Sequence, residues 1–258
     1  MIFYKSTDEI DLLRKSNQLV AKTLAEAGRY IEAGISTIEI DRIIDSYIRV
    51  NNAIPAFKDY NGFPNSACIS VNEAVVHGIP GDYKLKDGDI VSVDVGVILN
   101  DYYGDSAYTF KVGNVSRDVC DLLDATKTSL YKGIEQAIVG NRLGDIGYAI
   151  QNYIEKECGY HIVRDLVGHG IGKNLHEEPE VPNFGRRGNG IKLREGLVIA
   201  IEPMVNMTTR KVKWDKDGWT VKAADGKASA HYEHTIALGS DKTEILSSFK
   251  WIEEELSV

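Results

Sequence analysis

The sequence predicts a single α/β (α+β) domain, and three observations carry that prediction. Of its 258 residues, 43% are hydrophobic and 26% charged, the composition of an ordinary globular chain with a sizeable core. Stretches with helical spacing alternate with short apolar runs of strand type. The chain also repeats itself, which reads as two half-repeats, about 1–115 and 116–258, packed as the one domain 1–258.

Charge and cysteine usage narrow the class further. Thirty basic against thirty-eight acidic side chains give a net charge of −8, which argues against a large nucleic-acid or anionic-membrane surface. Cys68, Cys120 and Cys158 lie far apart without a CxxC pair, and read as reduced thiols of a cytosolic protein. The N-terminus turns polar after four residues, and no apolar run approaches the roughly 20 residues of a membrane helix. The expectation is a soluble cytoplasmic protein without a signal peptide.

In chain order, Ser6 with Glu9 three residues later forms a capping box and opens a helix. Gly34 then separates it from a second helical stretch. A shift of 110 places Ser6, Asp8, Asp11, Leu12, Leu13, Lys22, Ala27, Gly34, Ile40 and Ile44 on identical residues from Ser116 to Ile154. A second helical pair is therefore expected, with Ser116 as its cap and Gly144 between its helices. A shift of 108 places the segment Lys84–Asp94 on Lys192–Glu202, each copy a turn running into an alternating apolar strand.

This second match gives Asp94 and Glu202 equivalent positions inside apolar strands. Asp105 lies 11 residues after Asp94 in another strand, and Glu233 lies in what reads as the last strand, His231–Leu238. A carboxylate in such surroundings costs several kcal/mol unless it is paired, protonated or metal-bound. Taken singly, each is an ordinary edge residue. Four facing one another need a cation, either Lys or Arg or a divalent metal, and none of the four segments carries a basic residue beside its acid. That favours metal. His169 sits between glycines in Gly168–Gly172, with His176 seven residues on and His77 in Val75–Pro80; His161 and His231 read as ordinary surface or packed residues. One histidine and four carboxylates form an oxygen-rich set, which suits Mn, Fe(II), Co or Mg better than a structural zinc. From residues alone the expectation is a two-metal hydrolase.

The ordered set Asp94, Asp105, His169, Glu202 and Glu233 resembles the five ligands of the methionine aminopeptidase family. The local strings VDVG (93–96), YYGDSA (102–107), GHGIG (168–172), IEPM (201–204), YEHT (232–235) and NEAVVHGIP (72–80) extend the likeness over nearly the whole chain. The resemblance implies the "pita-bread" fold, two pseudo-symmetric α/β halves around a curved antiparallel sheet with helices outside. The chain has no room for the extra N-terminal domain usual in the related X-Pro enzymes. Only 31 positions separate Glu202 from Glu233, without the insertion of the type II branch, so the likeness is to the short bacterial type I branch.

By matching position, the resemblance implies that Asp105 and Glu233 bridge two divalent ions, with Mn, Fe(II), Co, Zn and Mg not distinguished. Asp94 would chelate one ion, and His169 and Glu202 the other. A water or hydroxide between the ions would attack the carbonyl after the initiator Met, with Glu202 as proton shuttle. His77 and His176 would donate hydrogen bonds to the scissile peptide. Tyr60, Phe63, Cys68, Trp219 and Phe57 match the region of the methionine pocket; without the resemblance each reads equally as core. Asn72, Ala74 and Ser229 match a monovalent-cation site. Phe57, Asn61, Leu166 and Leu175 depart from residues frequent in the family and bear on pocket dimensions. The implied partner is a peptide or nascent chain beginning with Met, met by a cytoplasmic monomer with no nucleic-acid specificity and no membrane. The basic stretch Arg210–Lys213 adds a transient ribosome contact as an expectation. The rivals are an X-Pro-directed peptidase on the same scaffold and a non-catalytic binding protein.

Overall fold

The computed structural model describes residues 1–256. Helix α1 (Thr7–Gly28) opens as predicted: Ser6 Oγ accepts from the Glu9 N–H at 3.3 Å, and the Glu9 carboxylate accepts from the Ser6 N–H at 2.9 Å. Helix α2 (Thr37–Val50) follows, with the Glu39 carboxylate accepting from the Ser36 N–H at 2.9 Å. The second helical pair, α3 (Arg117–Ile134) and α4 (Leu143–Gln151), departs from expectation at both starts. Ser116 stands at the N-cap, but its hydroxyl donates to Asp118 and caps no backbone N–H. Val119 occupies the position where Glu9 completes the first box, so nothing returns the bond. Gly144 lies inside the first turn of α4, not between the helices. A Cβ there would come within 2.5 Å of the Arg186 carbonyl oxygen, so close backbone approach accounts for the glycine. Helix α5 (Lys250–Leu256) packs back on α1.

The first half is organised on the strands Ile90–Leu99 and Tyr102–Lys111. They form a long antiparallel hairpin turned by Asn100 and Asp101, whose φ values of 52° and 63° suit a two-residue hairpin loop. Ala67–Val71 and the short Ile54–Pro55 pair on the outer edge of Ile90–Leu99. Helix α1 lies against the hairpin, so closely that a Cβ on Gly104 would sit 2.6 Å from the Ser16 carbonyl carbon. Val20, Leu24, Ile40 and Ile44 from the helices meet Val91, Val93 and Val95 in one buried core.

A second antiparallel sheet runs in the order Thr243–Ile245, His234–Leu238, Val198–Ile201, Gly168–Gly170, Glu177–Val181. A smaller one runs Ser229–His231, Met204–Asn206, His161–Ile162. Here two strand expectations need correction. Glu202 falls between Val198–Ile201 and Met204–Asn206, and Glu233 between Ser229–His231 and His234–Leu238. Both acids stand where the chain passes from one of these sheets to the other. Pro203 has no N–H for a ladder, and the Glu233 N–H donates to the Ala107 carbonyl at 2.9 Å, across to the hairpin. Nor does His231–Leu238 carry the last strand, since Thr243–Ile245 follows it. No helix is long and apolar enough to cross a membrane among the described residues.

Candidate metal centre

Antiparallel register explains why the first two acids meet. Asp94 faces Ala107, and Asp105, two residues from Ala107, projects from the same face of the hairpin as a diagonal neighbour. The Asp105 backbone is fixed on both sides. Its N–H donates to Asn17 Oδ1 at 3.2 Å, and its carbonyl accepts from Thr235 Oγ1 at 2.8 Å. Ser106 Oγ donates to the Glu233 carbonyl at 2.6 Å, which ties the last acid to the hairpin. His169 comes from Gly168–Gly170, and the Glu202 carbonyl accepts from Asn183 Nδ2 at 3.0 Å.

These residues converge on one cavity of about 300 Å3. Asp94, Asp105, His169, Glu202 and Glu233 all line it, together with His77 and His176. Donor atoms of Asp105, His169 and Glu233 all lie within 4.8 Å of one another. His169 Nδ1 lies 2.9 Å from the Gly170 carbonyl, to which it donates, leaving Nε2 as a lone-pair donor. Nε2 stands 3.8 Å from Asp105 Oδ2 and 3.7 Å from Glu202 Oε1, too far for a hydrogen bond and suited to sharing a cation.

Electrostatics makes the same demand. Burial first, and then neighbouring negative charge, pushes Asp105 and Glu233 well above the usual carboxylate range. Burial raises Asp94 to about 7 and Glu202 to about 8. Asp94 Oδ1, Asp105 Oδ1 and Glu233 Oε1 are buried without a hydrogen-bond partner, and no Lys or Arg is among the residues lining the cavity. Oxygen donors without hydrogen-bond or basic partners, whose negative form is penalised until a cation joins them, fit divalent metal, and the residues present can hold it. Burial also holds His77 and His169 at about 4 and lowers His176, so these rings are neutral at pH 7. His77 has a φ of 57°, a left-handed conformation uncommon outside glycine, although histidine enters it more readily than most side chains.

Tyr60, Phe63, Cys68, Trp219 and Phe57 form an apolar wall beside the acids. Phe63 and Trp219 stack edge to face at 5.2 Å, and the Tyr60 hydroxyl lies 2.8 Å from His176 Nδ1. Phe57 packs on the bare face of Gly96, where a Cβ would lie 2.4 Å from its ring. The departures Asn61, Leu166 and Leu175 line the cavity as well. Asn72, Ala74 and Ser229 are not among the lining residues; the Ser229 N–H donates to the Asn72 carbonyl at 2.9 Å, and Asn206, paired with Ser229, carries a buried amide without partners.

Sequence reasoning missed two residues. His231, read as ordinary, is buried with Nε2 3.6 Å from Glu202 Oε2. Its place two residues before Glu233 was a usable signal, because extended chain puts alternate residues on one face. Asn17, which holds Asp105 from α1, carries no such signal.

Residues 11–240 match metallopeptidase family M24. The chain is 53% identical over 250 residues to the methionine aminopeptidase of Clostridium perfringens, covering 97% of this chain and 100% of that one. It is 50% identical over 247 residues to methionine aminopeptidase 1 of Bacillus subtilis, covering 96% and 99%. The crystal structure of methionine aminopeptidase from Rickettsia prowazekii superposes with a TM-score of 0.95 at 41% identity, over 96% of this chain and all of that one. Prolidase from Pyrococcus furiosus shares the fold, with a TM-score of 0.78 at 22% identity over 95% of this chain and 65% of its own. The pita-bread architecture expected from the resemblance is thus present.

Proposed function

The chain belongs to metallopeptidase family M24, and we infer on that premise that it is a methionine aminopeptidase, a metal-dependent hydrolase removing the initiator methionine from proteins and peptides. The observation that carries the chemistry is the cluster of four carboxylates, Asp105 and Glu233 buried and Asp94 and Glu202 nearly so, with His169 and without a Lys or Arg partner. In this reading Asp94, Asp105, His169, Glu202 and Glu233 would hold two divalent ions, with Asp105 and Glu233 contributing to both, Asp94 to one, and His169 and Glu202 to the other. When bound, such ions lower the pKa of water and polarise a carbonyl. Glu202 takes the proton of the attacking water and passes it towards the leaving amine. Neutral His77 and His176 donate hydrogen bonds to the scissile peptide and stabilise its tetrahedral oxygen. The apolar wall from Tyr60 to Trp219 takes the methionine side chain, whose thioether packs well on ring edges. Asn72, Ala74 and Ser229 are the proposed holders of a monovalent cation.

The test is hydrolysis of Met-Ala-Ser by metal-stripped protein, with Mn, Co or Fe(II) added back. Free methionine is expected only with metal, and His77→Ala and Glu202→Gln should each lose about 100-fold or more. Release without metal, or cleavage of X-Pro peptides in its place, would overturn the assignment. A binding role without catalysis is disfavoured by the complete donor set.

The same reading places the protein in the cytoplasm as a monomer acting on nascent chains. The exposed Arg210, Lys211 and Lys213 supply a transient ribosome contact. Co-sedimentation with ribosomes should fall when all three are changed to Glu; unchanged co-sedimentation sinks the contact.

A further inference from the structure

His176 is carried on the loop between the strands Gly168–Gly170 and Glu177–Val181, and its ring stands exposed at the cavity mouth. The loop folds around the carboxylate of the next residue. Glu177 Oε1 accepts from the Asn174 N–H at 3.2 Å, and Oε2 pairs with Lys5 Nζ. Both side chains of that pair are only 5% exposed, although 172 residues separate them in the chain. Gly172 makes the room, since a Cβ there would lie 2.6 Å from both Lys5 Nζ and Glu177 Oε1.

Lys5 is itself anchored. Its N–H donates to the Gly196 carbonyl at 2.6 Å, and the Gly196 N–H donates to the Leu238 carbonyl at 2.8 Å, at the end of His234–Leu238. Ahead of it, Ile2 forms a parallel bridge with Glu178. The segment before α1 is therefore a strap joining the strand that follows Glu233 to the loop of His176.

We propose that Lys5 and Glu177 are positioning residues for His176, their buried ion pair locking the loop that carries the ring. The proposal rests on the donor role given to His176 above. A buried pair is a poor source of net stability, because desolvation offsets the attraction, but breaking it strands a buried charge, so the pair holds its two segments in one geometry. A displacement of about 1 Å in a donor costs up to about 100-fold in rate.

The experiment is steady-state hydrolysis of Met-Ala-Ser by the metal-loaded, full-length protein, with folding checked by thermal melts. Glu177→Gln and Lys5→Met should each lower kcat about 10- to 100-fold with KM changed less than about 3-fold, because Phe57, Phe63, Cys68 and Trp219 of the methionine pocket lie outside this loop. In a His176→Ala background, Glu177→Gln should cost less than about 2-fold further, since the loop then has no donor to place. Lys5→Met combined with Glu177→Leu leaves no unpaired charge; it should melt like the parent and still show the lowered kcat. Folded variants with parental kcat, or a full additional loss in the His176→Ala background, would overturn the brace. His176→Ala with parental activity would instead overturn the donor role itself, and with it the brace.

Discussion

Asp105→Asn should cut methionine release at least about 1,000-fold, while the metal-free protein melts no lower than the parent. The activity loss follows if this carboxylate holds metal, since losing about 4 kcal/mol of transition-state stabilisation is a factor of about 1,000. The stability result follows from the repulsion around Asp105, whose carboxyl is buried against Asp94 and Glu202 and held far above its usual pKa. An amide of the same shape cannot ionise and, like the protonated carboxyl it replaces, donates a hydrogen bond to its neighbours. Thermal melts in chelator read this directly. A variant melting well below the metal-free parent would mean that Asp105 is satisfied within the protein and has no need of a cation.

The second large effect is on the pH dependence of the metal-stripped protein. Asp94 moves from 3.8 to about 7 and Glu202 from 4.5 to about 8 on folding. A raised carboxyl pKa contributes stability that is fully present below the unfolded value and lost as pH rises through the folded one. His77 and His169 move from 6.5 down to about 4, so their contribution is fully present above 6.5 and is lost as pH falls towards 4. Above pH 6.5 the acids therefore act alone. The melting temperature in chelator should fall by on the order of 5 °C or more between about pH 6.5 and 9, and divalent metal should restore it most at the alkaline end. A flat profile would mean that these carboxylates ionise without cost.

Much of this site was legible because its signals are local. The Ser6–Glu9 box is a spacing of three, and Asp94 and Asp105 stand out as acids within apolar alternation that one hairpin brings together. The two strand assignments that failed, at Glu202 and Glu233, failed for a shared reason. Apolar alternation continues through both acids, whereas the hydrogen-bond partners change there, and partner changes leave no periodic trace. Long-range contacts were invisible for a related reason. Asn17 meets the Asp105 backbone across 88 residues, and Lys5 meets Glu177 across 172, with nothing in either neighbourhood to announce it. His231 was misjudged through being considered alone; counting two residues to Glu233 would have put it in the site.

The left-handed backbone at His77 has an evolutionary corollary. A φ of 57° is free of strain only for glycine and is adopted by histidine, as by asparagine and aspartate, at a modest cost, so the residue is held there at some expense of thermal endurance. Selection for heat resistance without an activity screen would find this position early and exchange the imidazole for glycine. The outcome would be a hardier but inert lineage, whereas any lineage that keeps the enzyme working must carry the strain and recover the lost stability at other positions.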